Sequence, residues 1–248
     1  MRKLILLTFF SFCVQIALAG NGPKVATSKA PMNIKKTNAR PDVPGTLIID
    51  FGYNLLQNNK TDLGLRLLGS RTVNFYYLYD IRIAKSKFFL LPGIGVGLDR
   101  FKFDEDVTPT KTVDSDGNNT TLFVPISGGG VKKTMLTTNF IDIPVELRFY
   151  GNPEDSKRSF KAGMGFKVGY LLDAHTKIKQ DLDGDVTKYK IHSDFNLNKL
   201  RYGWTARVGV GGFNVFYYQS LNTLFQSGKG PGRTNMNNAT IGLSFTGF

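Results

Sequence analysis

Apolar and polar residues alternate with a period of two along most of this chain, and no other feature restricts its fold as much. The alternation is cleanest in FIDIPVELRFY, Phe140 to Tyr150. There Ile141, Ile143, Val145, Leu147 and Phe149 fall on one face of an extended strand, and Asp142, Pro144, Glu146 and Arg148 on the other. A soluble strand turns its apolar face to a core, whereas a strand of a closed membrane barrel turns that face to lipid and its polar face to the interior. One segment fits either case. Repetition of the pattern, an export signal ahead of it and no long apolar run behind it select the membrane reading.

The chain opens MRKLILLTFFSFCVQIALAG, with Arg2 and Lys3 before an apolar run from Leu4 to about Ala17 and small residues at the end. That is the pattern of a secretory signal peptide, with cleavage expected between Ala19 and Gly20. Cys13, the sole cysteine, lies inside the run behind bulky Phe12, where a lipoprotein processing site needs a small residue. The expected mature chain therefore has neither disulfide nor lipid anchor. Residues 20–44 read as a flexible basic periplasmic lead-in, with Lys24, Lys29, Lys35, Lys36 and Arg40 against Asp42. No later stretch reaches the roughly 18 consecutive apolar residues of a spanning helix.

The net charge is +13, of which Arg2 and Lys3 supply two. Such an excess suits nucleic acid, an anionic membrane surface or an acidic partner. For an exported chain the expected partners are outer membrane lipid and a protein, with no nucleic acid.

From Gly45 to Phe248 the alternation divides into eight segments: Leu47–Leu55, about Leu68–Ile83, Lys87–Phe103, Phe140–Tyr150, Phe160–Leu172, Leu200–Val210, Phe213 to about Thr223, and Asn237–Phe248. The connections run long and short in turn. The long polar ones include Asp104 to about Lys132 and Asp173–Lys199; the short ones include Ala84–Ser86, Gly151–Lys157 and the tight turn Gly211-Gly212. The expected fold is all-β, an eight-stranded antiparallel transmembrane β-barrel with long outer loops, short periplasmic turns and both ends in the periplasm. The 20 Phe, 10 Tyr and 1 Trp fit interfacial girdles as well as core packing.

Here the residues resemble a known family. FIDIPVELRFY is similar to the hydrophobic-x-Ile-Pro-x-x-Leu-Arg-aromatic strand of PorT-like outer membrane β-barrel proteins, and SFKAGMGFKVGYLLDAHTK resembles the Gly-rich strand that follows it. The resemblance covers about Gly45 to Phe248. It implies an integral protein of a Gram-negative outer membrane, in a family whose named member is tied to protein secretion and most of whose others have no assigned activity. The shared motif is structural, so no catalytic, cofactor or metal residue carries over. Phe248 would supply the terminal assembly signal of such barrels. Ile241, Leu243 and Phe245 sit at the opposite parity to it, so a bulge near Gly247 is expected to restore the facing.

The inward parity collects Asp50, Asp80, Asp99, Asp142 and Glu146 with Arg82, Arg148, Lys161, Lys167, Arg201 and Arg207. Eight strands leave little lumen beyond what side chains fill, so these charges are expected to pair and plug the interior; a narrow ion path is the alternative. Asp114–Asn118 and Asp181–Asp185 space oxygen ligands around a glycine as calcium loops do, but lack the closing Glu, and the same residues are ordinary turn formers. His175 and His192 share one long loop. With Ser193 and Asp194 they could form the site of a lipid-modifying barrel; otherwise they are solvated loop histidines. The glycine runs Gly93–Gly97 and Gly228–Gly232 lack phosphate-loop context. The expected function is a structural or accessory barrel, attached to a secretion or assembly complex and without enzymatic activity.

Overall fold

The alternating segments become long antiparallel strands. The computed structural model describes residues 45–58, 64–66, 69–104, 106–155, 158–182 and 184–247. The signal sequence, the basic lead-in with the Ala19–Gly20 junction, and Phe248 lie outside the described residues. The strands are β1 (Thr46–Gln57), β2 (Arg71–Leu78), β3 (Ile81–Arg82), β4 (Phe88–Lys102), β5 (Val107–Val113), β6 (Asn119–Pro125), β7 (Val131–Tyr150), β8 (Phe160–Leu182), β9 (Asp185–His192), β10 (Leu200–Val210), β11 (Phe213–Thr223) and β12 (Asn237–Thr246).

Eight of these, β1, β2, β4, β7, β8, β10, β11 and β12, each pair antiparallel with two neighbours, and the pairing of β12 with β1 returns the ring to its start. This is the all-β, eight-stranded architecture that the alternation predicts. The facing also follows the sequence. Ile141, Ile143, Val145 and Leu147 point out and are exposed, while Asp142, Glu146 and Arg148 point in and are buried. Val73 and Phe75 on β2, Val96 on β4, Val168 on β8 and Leu243 on β12 continue the outward apolar band. An outside that is greasy and an inside that is charged is the inverse of a soluble barrel.

Two departures have local causes. The second segment breaks at Tyr79–Asp80 instead of running on to Ile83. Tyr79 donates to the Pro92 carbonyl at 2.8 Å, but proline has no N–H to return, so the ladder lapses for two residues. The two longest loops are not irregular. β7 and β8 run past the apolar band to Val131 and Leu182, β9 adds a strand to the edge of β8, and β5 and β6 form a hairpin of their own. The β7–β8 register shifts between Asn139 and Phe140, leaving Leu172 unmatched, so the regular alternation stops there while the sheet continues.

The short connections from β3 to β4, from β7 to β8 and from β10 to β11 mark one end of the barrel, the turn end, and the hairpins mark the other, the loop end. Gly247, with φ of +82°, takes the left-handed conformation that an L side chain resists, and the chain leaves β12 there.

Candidate functional site

The barrel interior is built from facing side chains of non-adjacent strands. Of the eleven charges expected there, nine are buried: Asp50, Asp99, Asp142, Glu146, Arg148, Lys161, Lys167, Arg201 and Arg207. Asp80 is half-buried near the turn end and accepts from the Thr46 hydroxyl at 2.9 Å. Arg82 is not inside. It is exposed on β3, donates to the Ser86 carbonyl at 2.9 Å and lies over the Phe89 ring at 5.8 Å. The break at Asp80 ends the parity that had assigned Arg82 to the lumen. Without it, five acids face five bases.

Eight of them pair in two groups, and Asp80 and Lys161 bond to hydroxyls instead. Arg201 donates from Nη1 to Asp99 at 2.5 Å, and from Nε and Nη2 to Asp142 at 3.0 and 2.6 Å, a forked contact of the strong bidentate kind. Tyr76 donates to Asp142 at 2.7 Å and accepts from Lys167 at 3.2 Å. The other faces of the two cations lie on rings, Lys167 at 4.0 Å from Tyr218 and Arg201 at 3.9 Å from Phe140. Nearer the turn end, Arg207 joins Asp50 at 3.0 Å to Glu146 at 2.5 Å, and Glu146 also accepts from Arg148 Nε at 2.7 Å. Lys161 reaches the Thr246 hydroxyl at 3.4 Å.

The glycine-rich strands make this packing possible. A Cβ on Gly97 would collide with the Arg201 guanidinium, and one on Gly169 with the Asp142 carboxylate. Both glycines are therefore needed beside the forked pair for close approach.

Sequence alternation did not reveal what closes the loop end. Phe101, Phe103, Leu136, Phe195, Leu197 and Phe225 form a buried apolar cluster there, with the hairpin β5–β6 packed on it through the Phe103–Phe123 ring pair at 4.9 Å. Thr121 donates to the Phe195 carbonyl at 2.8 Å and Thr134 to that of Val107 at 2.7 Å, fastening the hairpin down. A smaller apolar group, Ile48, Leu78 and Leu91, lies toward the turn end.

The other candidates sort clearly. In the first calcium-like run, Asp114 and Asp116 both accept from Arg233 Nη2, at 2.8 and 2.9 Å. The Arg233 hydrogen bond holds the Asp114 carboxyl below its usual range, and the Asp114 contact raises Arg233 in turn. A cation already fills the place that a metal would take. In the second run, Asp183 lies outside the described residues and Asp181 pairs with Lys132 at 3.5 Å.

His175 and His192 are not loop residues. They face one another across β8 and β9, with rings 4.9 Å apart, and both turn Nδ1 to the carboxylate of Asp173, at 2.7 and 3.0 Å. Asp194 is not their acid. It pairs with Lys111 at 2.8 Å, and Ser193 caps the Phe195 amide instead of approaching a histidine. Burial pushes the His175 ring below its ordinary value, with Asp173 working in the other direction. Burial likewise works to raise the Asp173 carboxyl, but the two histidines hold it low. The ligand atoms of Asp173, His175 and His192 lie within 4.8 Å of one another, a His₂-carboxylate set of the kind zinc accepts; Asp173 already engages both Nδ1 atoms, while the buried Nε2 of His175 has no hydrogen-bond partner among the described residues. Asp173 was the residue that sequence reasoning missed. The Asp-x-His spacing, which puts both side chains on one face of a strand, was its signal.

A family model described as outer membrane protein beta-barrel domain matches residues 26–226, spanning β1 to β11. Comparison with curated proteins finds no match. Among solved structures, the chain is similar to that of Ail, the attachment invasion locus protein of Yersinia pestis. The identity is 11%, the alignment covers 82% of this chain and 99% of that one, and the TM-score of 0.34 is too low for the likeness to carry an argument.

Proposed function

Because this chain belongs to the outer membrane protein beta-barrel domain family, we propose that it is a plugged, non-enzymatic barrel that acts as a structural or accessory protein through its loop-end hairpins. It is an integral protein of the bacterial outer membrane. The observation that carries the proposal is the filled interior: two groups of paired charges beneath a buried apolar cluster. Ions moving through would have to break pairs whose partners are buried, leaving charges without compensation, and then cross a lining of phenylalanine and leucine. The histidines argue against lipid chemistry, because Asp173 holds both and among the described residues no serine hydrogen-bonds to either.

A barrel that neither conducts nor catalyses acts through what it touches. The ordered hairpins β5–β6 and β8–β9 supply a rigid surface for a partner, and the resemblance of Phe140–Tyr150 to the PorT-like strand supports attachment to a secretion or assembly complex. The expected result is little steady current from the purified protein in planar bilayers, together with reproducible crosslinks to the same neighbouring proteins in intact membranes. Steady open-channel current would replace this reading with a channel. Loss of a lipid-modifying activity in His192→Ala would replace it with an enzyme.

A further inference from the structure

The outer surface just beyond the apolar band carries a ladder of cations. On β4 the outward residues run Ile94, Val96, Leu98 and then Arg100 and Lys102; on β2 they run Phe75, Val73 and then Arg71. The register carries the ladder across the sheet. Arg71 lies opposite Arg100, and Lys102 opposite Met135, which faces Lys177, which faces Lys190; one rung on, Lys133 faces Lys179, which faces Lys188. Eight basic side chains thus occupy one face of five neighbouring strands.

Several of them stand directly opposite a like charge, an arrangement that destabilises a sheet unless something compensates it. Among the described residues no acid compensates them: none of the eight forms an ion pair there. The described acids beside the ladder are engaged elsewhere, Asp104 by Arg66, Asp173 by the histidines and Asp181 by Lys132. Burial, and then the charges of Lys102, Arg71, Arg100 and Lys177, hold Lys133 below the usual lysine range. Lys133, Lys177, Lys179, Lys188 and Lys190 line an open groove of about 340 Å³ that also includes the buried thioether of Met135.

We propose that this ladder is a binding surface for the phosphate groups of membrane lipid, specifically the phosphorylated glycolipid of the outer leaflet. The position argues for lipid over a soluble partner, because the ladder continues the lipid-facing parity of β2 and β4 without a break and so meets the headgroup layer where the acyl layer ends. Several lysines clustered on one surface suit a multiply charged anion, and an apolar floor beside them suits the root of an acyl chain.

The proposal takes from the proposed function only that the loop end faces outward, which selects the glycolipid. Binding in a nanodisc does not depend on orientation in the cell, so the two readings fail separately. The test uses the full mature chain in phosphatidylcholine nanodiscs with diphosphoryl lipid A as probe. The quadruple variant Lys177→Gln, Lys179→Gln, Lys188→Gln, Lys190→Gln should bind lipid A about 600-fold more weakly, at about fivefold per lysine near a membrane surface. The corresponding Lys→Arg quadruple should keep binding, which separates charge from folding, and rising salt should weaken the wild type toward the Gln variant. Equal binding of dephosphorylated lipid A, an unchanged Gln quadruple, or displacement of lipid A by an acidic soluble protein at comparable concentration would overturn the proposal.

Discussion

Arg207 reaches from β10 across the interior to two carboxylates on different walls of the barrel, Asp50 on β1 at 3.0 Å and Glu146 on β7 at 2.5 Å. None of the three strands neighbours another in the ring. The contact therefore braces the barrel in a way that the backbone ladder, which joins only adjacent strands, cannot.

Truncating Arg207 tests that brace. Arg207→Met leaves Asp50 without its cation while Glu146 keeps Arg148, and stranding a buried charge costs roughly 3–5 kcal/mol. The expected outcome is a lower urea midpoint for loss of the heat-modifiable folded band in detergent. Adding Asp50→Asn removes the stranded charge and should restore most of the loss. A single variant as stable as the wild type would mean that the contact contributes nothing measurable.

The outward face is tested where it meets lipid. Val145 lies midway along the spanning part of β7 and is 40% exposed, whereas Thr205 on β10 points inward beside Gly165. Val145→Arg should cost about 2–4 kcal/mol in folding into bilayers, the range for a cation near the midplane. Thr205→Asn should fold nearly as well as the wild type. The opposite ranking would mean that the faces are reversed.

The strands were legible because lipid outside and charge inside impose a strict period of two, as Ile141 to Phe149 display. Partners were not legible. Arg207 and Asp50 lie 157 residues apart, and which wall faces which depends on the closed ring, not on spacing. Arg82 was misplaced because parity was counted through Asp80, where Pro92 withdraws a donor. Lys177, Lys179 and both histidines were read as loop because the shift at Leu172 ends the regular alternation while the strands run on. The apolar cluster at the loop end left no periodic signal, since its members come from strand ends and connections such as Phe195 and Phe225.

The β8–β9 hairpin should respond to pH through His175. Its ring titrates below its ordinary value in the fold, so the fold favours the neutral form. A depressed pKa contributes stability that is present above the unfolded value, about 6.5, and is lost as pH falls through the folded one. The Asp173 carboxyl is also held low, so its contribution persists until the pH drops below the carboxylate range of about 4. Hydrogen-exchange protection of the β9 amides should therefore fall as the pH drops below the ordinary histidine value of about 6.5, and His175→Asn should remove that dependence. Protection that rises on acidification would show that Asp173 outweighs burial.

Orientation remains the premise on which both the partner surface and the lipid ladder depend, and one exposed residue at each end tests it. Asn118 sits in the β5–β6 turn at the loop end, and Asn152 in the short connection between β7 and β8 at the turn end; both are exposed. Barrels of this kind place long connections outside and short ones in the periplasm. Cys13 is the only cysteine and falls in the expected signal sequence, so a single introduced cysteine should report without competition. In intact cells a membrane-impermeant maleimide should label Asn118→Cys and leave Asn152→Cys unlabelled until the outer membrane is opened. Labelling of Asn152→Cys alone would turn the barrel over, placing the hairpins and the cation ladder on the periplasmic side, where the ladder would meet phospholipid headgroups and not glycolipid.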